Sequence, residues 1–360
     1  MDEERNDFTF SEFSDPDFQR LIQLTEYTYP GQDISKPANL DWEYLRNPDG
    51  KAILFVAEKL NELYSQYIIL PRKYFANTEV LNGSLSVNTL THPDARGQGL
   101  FPKLAELTYD KASRQDIQFT VGFPNPVSSP VFRSKLKFST LGYLPFYVKI
   151  LKPLNVLKKY FSKGNLKRGE EHKIEFPNSE KMDGFTIELF NPDKDASEFE
   201  KFQQKFLKDK KYCTLRDLAY LKWRYLDIPL RNYRMYKITR EGMITAIIVF
   251  RITEFFGLKT VSILELMKYD EPESKTSVGV LLNWLSAQAR NHQLDLIMMA
   301  FQDLSTGKIS PSKHGFLPVP VRFLPQPLEF ILRIHLEKAN IRGILDFNNW
   351  YLSLGDLDTF

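Results

Sequence analysis

Arg96, Gly97 and Gly99 are the residues whose types and spacing point most directly to chemistry. They lie in the stretch Val87 to Leu104, which reads V-N-T-L-T-H-P-D-A-R-G-Q-G-L-F-P-K-L. An extended segment over 85–91 comes first. A turn at Pro93 and Asp94 follows, then the glycines, then an apolar-periodic helix over 101–113. A strand, a glycine turn and a helix leave backbone N–H groups pointing into one small volume. The helix dipole adds to their partial positive charge. The natural guest is a phosphate or pyrophosphate. Glycine at 97 and 99 keeps the anion's space clear and allows dihedrals that a side chain would oppose. A plain βα turn with a surface arginine fits the same spacing equally well. Beside the turn stands His92, and imidazole is the side-chain type suited to acid–base work near neutral pH. Asp41, Glu43 and Glu58 read as exposed carboxylates.

The elements that must hold this turn can be read in order. Asp15 and Asp17 suit the cap of a helix carrying Phe18, Leu21, Ile22 and Leu24. Leu40, Trp42, Tyr44 and Leu45 form a short aromatic segment closed by Asn47-Pro48-Asp49-Gly50. Strands are expected over 52–57 and 64–70, as a hairpin. Residues 71–82 read as a connection into the strand that opens the motif. Leu100, Leu104 and Leu107, with Ala105 and Ala112, supply the buried face of the next helix. A strand over 117–121 ends at Gly122-Phe123-Pro124-Asn125-Pro126. Asn125, Ser128 or Ser129 can cap a short helix through Phe132. Residues 138–143 read as a turn, and 146–151 as the last strand of this half. Residues 152–183 look like a linker. A strand over 184–190 and a helix over 195–208, with Phe199, Phe202 and Phe206 on one side, open the second half.

Composition narrows the class. A chain of 360 residues exceeds what one core usually needs. The single cysteine, Cys213, excludes an intrachain disulfide framework and a cysteine metal cluster. Five histidines without an H-E-x-x-H or a close pair make a catalytic zinc unexpected. The acidic start lacks the basic-then-apolar pattern of a signal peptide. No 18-residue apolar run suggests a membrane span. The expected setting is cytoplasmic. Net charge is +3, and much of the excess lies in Lys149, Lys152, Lys158, Lys159, Lys163, Lys167 and Arg168. With few aromatics interleaved, this cluster reads as a solvated linker face, and no nucleic-acid partner is expected.

The chain also repeats itself. L40-D-W42-E-Y44-L45 returns as L221-K-W223-R-Y225-L226 at the same internal spacing. The strands over 52–57, 64–70 and 85–91 correspond to 233–238, 244–252 and 261–267. The helix over 101–113 corresponds to 278–291, and the strand over 117–121 to 294–298. Preserved order over most of both halves argues for a duplicated α/β domain. The glycine turn is not repeated. Glu273, Ser274, Lys275 and Thr276 stand in its place, after Asp270 and Glu271, which would repel an anion. Trp42 and Trp223, each flanked by apolar residues, read as core packing.

These residues resemble a known pattern. H92-P-D-A-R96-G97-Q98-G99-L100-F101 after a strand resembles the acyl-CoA signature of the GCN5-related N-acetyltransferase (GNAT) superfamily, (Arg/Gln)-x-x-Gly-x-(Gly/Ala). Pro93 stands at its first position. G122-F-P-N125, S128-S129, F132 and L136-K137-F138 resemble the family's next strand and helix. W350-Y-L-S-L-G355-D356-L-D358 resembles the tail of bacterial double-domain members, some of them associated with surface-polysaccharide synthesis. The likeness covers 14–151 well and 184–360 weakly.

The resemblance implies the GNAT fold with a mixed central sheet, duplicated. It implies an N-terminal domain over 1–151 with the acyl-CoA site, a basic linker over 152–183, and a C-terminal domain over 184–360 without the turn. It implies that the backbone from Arg96 through Gly97, Gln98, Gly99 and Leu100 to Phe101 holds the CoA pyrophosphate. Leu90 and Thr91 would run beside the pantetheine, in a gap between strands ending near Thr91 and Val121. The Leu90 N–H would polarise the thioester carbonyl. Asn125 and Phe132 would line the other side. His92 is a candidate base and Tyr143 a candidate proton donor to the thiolate. Arg133 stands where many members carry a tyrosine and is a candidate holder of an anionic acceptor. Lys137 replaces the family's glycine.

The implied activity is acyl transfer from acetyl-CoA, or another acyl-CoA, to an amine or hydroxyl of a small or sugar-like acceptor by direct attack. Two alternatives are an aminoacyl- or peptidyl-transferring enzyme using charged tRNA and an inactive binding protein with the same fold. The acceptor and the oligomeric state are not written in the sequence.

Overall fold

The computed structural model describes residues 8–14, 18–161, 174–303, 310–324, 326–336 and 341–357, without the side chains of Tyr160 and Phe161. Asp15, Asp17, Lys163, Lys167, Arg168 and Asp358, used above, lie outside the described residues. In chain order the first half holds β1 (Thr9–Glu12), α1 (Gln19–Thr28), α2 (Pro37–Leu40) with a π-helical turn Asp41–Leu45, β2 (Ile53–Lys59), β3 (Glu62–Ala76), β4 (Glu79–Thr91), α3 (Leu100–Arg114), β5 (Phe119–Gly122), α4 (Ser129–Ser134), β6 (Ser139–Tyr143), β7 (Phe146–Ile150) and α5 (Pro153–Phe161). The second holds β8 (Ser179–Met182), β9 (Phe185–Leu189), α6 (Pro192–Leu207), β10 (Tyr212–Thr214), α7 (Leu218–Leu221) with a second π-helical turn Lys222–Leu226, β11 (Tyr233–Arg240), β12 (Met243–Phe255), β13 (Leu258–Lys268), α8 (Pro272–Asn291), β14 (Leu296–Gln302), β15 (Leu317–Val319), β16 (Glu329–Ile334) and β17 (Leu352–Ser353).

Two mixed sheets result. The first runs β1-β2-β3-β4-β5-β16-β6, with β10 added to the end of β3. The second runs β15-β7-β14-β13-β12-β11-β9-β8, with β17 on β14. Read from the outer meander inward, the two orders correspond from β1 with β9 to β6 with β15, and β8 is an extra strand at the edge of the second sheet. In each, one parallel pair lies beside an antiparallel meander: β4 with β5, and β13 with β14. The duplication therefore reaches the level of the sheet.

The halves have exchanged a strand. Phe146–Ile150, expected to close the first half, pairs with β14 of the second sheet, Phe146 opposite Ala300 and Ile150 opposite Leu296. In return β16 lies between β5 and β6, Leu332 facing Val121 and Ser139. Each parallel pair is thus completed by a strand from the other repeat. A five-residue strand carries no mark of which sheet it joins, because either partner offers the same backbone ladder.

Other expectations are corrected in the same way. Residues 71–82 do not form a connection; β3 and β4 continue as a hairpin to a turn at Asn77 and Thr78. Pairing of Tyr212–Thr214 with Tyr74–Ala76 keeps that extension in the sheet. Residues 139–143 form a strand rather than a turn, because β16 gives them a partner. The stretch expected as a linker includes α5 and β8. Helix α8 begins at Pro272, six residues before the expected start at Val278.

The cores explain the elements. Helix α3 buries Leu100, Leu104, Ala105, Thr108, Tyr109 and Ala112, a continuous i, i+4 stripe. Helix α6 buries Phe199, Phe202 and Phe206 as expected. The two repeated tryptophans meet. The Trp42 Nε1–H donates to the Trp223 carbonyl at 2.8 Å, and the Trp223 Nε1–H to the Trp42 carbonyl at 3.1 Å. Their rings stack at 4.8 Å. Such reciprocal contacts are the signature of a two-fold relation between equivalent surfaces.

Candidate functional site

The glycine turn is built as its residue types require. Gly97 has φ +81° and Gly99 φ +76°, both left-handed. A Cβ placed on either would meet no atom within 4 Å, so the space over the turn is open. Gly99 caps α3 without any side-chain bond. Among the described residues, no backbone carbonyl accepts from the N–H of Gly99, Leu100 or Phe101. These donors face the open space at the positive end of a 15-residue helix. A pyrophosphate fits such a cradle on the chemistry of its donors alone.

The gap beyond the turn is present too. β4 and β5 pair only over Gly83–Leu85 with Phe119–Val121. β4 then runs on to Thr91, while β5 stops at Gly122. A cleft of about 490 Å³ opens there. Thr89, Leu90, Thr91, Arg96, Gly97, Gly99, Leu100 and Phe101 form one side, and Asn125, Val127, Ser128, Val131 and Lys135 the other. The Asn125 Oδ1 accepts from the backbone N–H groups of Val127, at 3.0 Å, and Ser128, at 2.9 Å, fixing the loop before α4. The Leu90 carbonyl accepts from the Ser65 hydroxyl at 3.0 Å, which anchors the end of β4.

Several expected site residues stand elsewhere. Phe132 is buried in the core, packed edge-on to Phe101 at 5.2 Å and Phe138 at 5.0 Å. It supports the cleft's floor instead of lining it. Arg133 points to solvent. The helical turn places Val131 and Lys135 on the cleft and turns the residues between them away. Tyr143 is exposed at the end of β6 and does not line the cleft. The Gln98 side chain instead donates to the Asp94 carbonyl at 3.3 Å. His92 caps the turn before Arg96, its Nδ1 accepting from the Asp94 N–H at 3.3 Å. Its ring stacks on Tyr27 at 4.1 Å and meets Tyr64 edge-on at 5.5 Å. Glu43, expected to be exposed, is only 5% exposed. Its Oε2 accepts from the Asn88 amide at 2.8 Å. Of the far wall the sequence marked Asn125 but not Ser128, Val131 and Lys135. Ser128, Val131 and Lys135 stand at i, i+3 and i+7, so a search for a stripe on α4 would have found it.

The second half shows why the turn is single. β13 and β14 also pair in parallel only briefly, over Thr260–Ile263 with Leu296–Met299. There the corresponding gap is filled by the chain's own tail. β17 pairs with β14, Ser353 opposite Phe301. The Ser353 hydroxyl donates to Glu265 of β13 at 2.8 Å, and the Tyr351 hydroxyl to the Leu266 carbonyl at 3.3 Å. Asp356 accepts from Arg216 at 2.8 Å and Thr214 at 2.6 Å. α8 starts directly at Pro272, with Lys275 paired to Asp270 at 2.7 Å.

Comparisons with known proteins support the fold class. Residues 9–140 match the family model described as Acetyltransferase (GNAT) domain. No curated protein matches the sequence. Among solved structures, the chain is similar to a GCN5-related N-acetyltransferase from Anabaena variabilis, with 14% identity, 91% of this chain and 73% of that one covered, and a TM-score of 0.62. It is also similar to a protein of unknown function from Enterococcus faecalis, titled a probable N-acyltransferase, with 11% identity, 91% and 72% covered, and a TM-score of 0.60. A third is the N-myristoyltransferase of Saccharomyces cerevisiae with bound myristoyl-CoA, with 13% identity, 90% and 78% covered, and a TM-score of 0.58. At these identities the likeness to solved structures concerns the fold.

Proposed function

We propose that this chain, whose residues 9–140 match a GNAT domain model, is an acyltransferase of that superfamily and transfers an acyl group, acetyl in the first instance, from acyl-CoA to an amine or hydroxyl of a small or sugar-like acceptor. One observation carries the reading. A single cleft of about 490 Å³ joins the left-handed Gly97–Gly99 turn to the splay between β4 and β5. That path has an anion cradle at one end and an open strand edge at the other, as an acyl-CoA arm requires.

The residue roles follow from position. Backbone N–H groups from Gly99 to Phe101 hold the pyrophosphate. Thr89 and Thr91 present the strand edge to the pantetheine; the expected role of the Leu90 N–H is corrected, because the Leu90 backbone faces β3, its carbonyl taken by Ser65 and its pairing with Gln66 next in register after that of His92 with Tyr64. Val131 and Lys135 form the opposite wall in place of Phe132 and Arg133. His92 stands beside the turn, its Nδ1 accepting from the Asp94 N–H; in that tautomer the neutral ring carries its proton on Nε2, so His92 takes the acceptor's proton only by giving up this cap and using Nδ1. Direct attack by the acceptor needs no covalent enzyme intermediate. Cys213, fully buried and with its thiol pushed up to about 12 by burial, is unsuited to form one.

Isothermal calorimetry with acetyl-CoA tests the reading, with myristoyl-CoA as the long-chain comparison. Binding to the native chain, lost when Arg96, Gly97 and Gly99 are together replaced by alanine, is the expected result. No binding of either thioester at millimolar concentration would overturn it. Release of free CoA across a panel of amines and nucleotide sugars then separates an enzyme from a binding protein.

A further inference from the structure

The lysine-rich stretch that acyl transfer leaves unused begins as a helix. α5 (Pro153–Phe161) follows β7 after a two-residue bend. Its polar groups anchor it to the second sheet. The backbone N–H groups of Leu151 and Lys152 donate to the Asp295 carbonyl at 2.8 and 3.1 Å. The Asn155 amide donates to Asp295 Oδ1 at 2.8 Å, and the Lys152 ammonium to the Gln293 carbonyl at 2.8 Å. Lys159 lies over Gly257. Val156 packs against the core. Lys152, Asn155, Val156 and Lys159 stand at i, i+3, i+4 and i+7, so they share the face turned to the protein.

The opposite face is apolar and uncovered. Leu154 is 73% and Leu157 54% exposed, one turn apart. Lys158 is exposed beside them, and no carboxylate pairs with it among the described residues. Ile150, at the end of β7, is exposed as well. α3 and α6 do the reverse and bury their apolar stripes. A single exposed leucine, such as Leu60 in the β2–β3 turn, means little. Two on one face of an anchored helix need a partner, and charge selects it. From Lys152 to Arg168 the sequence carries six cations and no carboxylate, which favours an anionic partner. A nucleic acid offers phosphates but no apolar phase for leucine. An anionic bilayer offers both, headgroup charge at its surface and acyl chains just below.

We propose that α5 docks the protein on an anionic membrane surface, with Leu154 and Leu157 entering the acyl-chain boundary and Lys158 meeting the headgroup phosphates. The attachment is peripheral: among the described residues no helix is long and apolar enough to cross a membrane. The docking face is separate from the acyl-CoA cleft, whose walls come from β4, α3, α4 and neighbouring loops. It stands whether or not that cleft turns over acyl-CoA.

Co-sedimentation of the full chain with lipid vesicles tests this. Vesicles of phosphatidylcholine mixed with phosphatidylglycerol are expected to carry the protein down, and phosphatidylcholine alone to leave it in solution. Added salt should weaken binding as the charges are screened. Lys158→Gln should weaken it about fivefold, the value of one cation near an anionic surface. Leu154→Gln combined with Leu157→Gln should weaken it about tenfold or more, with the melting temperature unchanged. Should the double variant melt early, Lys158→Gln and the salt series decide. A native chain that stays in solution with anionic vesicles at low salt would overturn the proposal. So would equal binding to neutral vesicles, or undiminished binding by a well-folded double variant. Sedimentation equilibrium examines the other occupant: self-association that the leucine substitutions abolish would assign this face to a second copy and overturn membrane docking.

Discussion

At Gly97 and Gly99 the backbone, not crowding, sets what a substitution does. A Cβ finds open space at either position, yet φ lies near +80°. Gly97→Ala or Gly99→Ala is expected to lower stability by roughly 1–3 kcal/mol through strain. Thermal melts read that loss, and calorimetry should show weaker acyl-CoA binding in the same variants. His335 gives a second residue-level outcome. Burial, reinforced by the charge of Arg333, pushes its imidazole down to about 3. Its Nε2 meets the Thr120 hydroxyl at 2.7 Å. The unfolded chain takes up a proton below the ordinary value of 6.5, while the folded chain does not. Stability therefore falls as pH drops from about 6.5 towards about 3, with a limiting slope of ~1.4 kcal/mol per pH unit. Urea denaturation across that window should show a shallower slope in His335→Gln. At this scale the sequence was legible where a residue type has one main use, as with two glycines beside a helix start. It misled at Phe132, Arg133 and Glu43, whose types say nothing about which way a helix or π-helical turn faces.

Among the elements, the exchange of β7 and β16 has a direct consequence. Without β16 the first sheet loses the strand between β5 and β6, and an edge of β5 is exposed. Without β7 the second sheet loses the strand between β14 and β15. Fragments covering 1–151 and 184–360 are expected to lack a cooperative thermal transition when made separately. Two independent native-like transitions would refute this. The repeated segments were readable because period, apolar pattern and the Leu-Trp-Tyr-Leu spacing are local. The exchange was not, since strand pairing between segments far apart in the chain, Ile150 with Leu296 and Leu332 with Val121, is chosen by which edge happens to be free. The continuation of β3 through Pro71 was hidden for a similar reason: β10, far along the chain, completes that end of the sheet.

Taken as a whole, the molecule is two related scaffolds sealed at one centre. Arg216 contacts Glu265 at 2.9 Å and Asp356 at 2.8 Å, all three buried. Arg72 of the first sheet donates to the Asp356 carbonyl at 3.0 Å. The tail thus ties both halves together. Arg216→Met would leave two carboxylates without their cation, with an expected loss of about 3–5 kcal/mol in denaturant titrations. Because the tail occupies the second gap, calorimetry should find one acyl-CoA per chain; two equivalent sites would contradict the filled slot. The sequence alone determined the duplication, the single glycine turn and the family likeness. Each rests on residues adjacent in the chain, where type and spacing fix local conformation. Tertiary structure decided the rest: the strand exchange and the tail in the second slot. Those depend on contacts between distant segments, whose free energy comes from fitting surfaces together and leaves no local pattern to read.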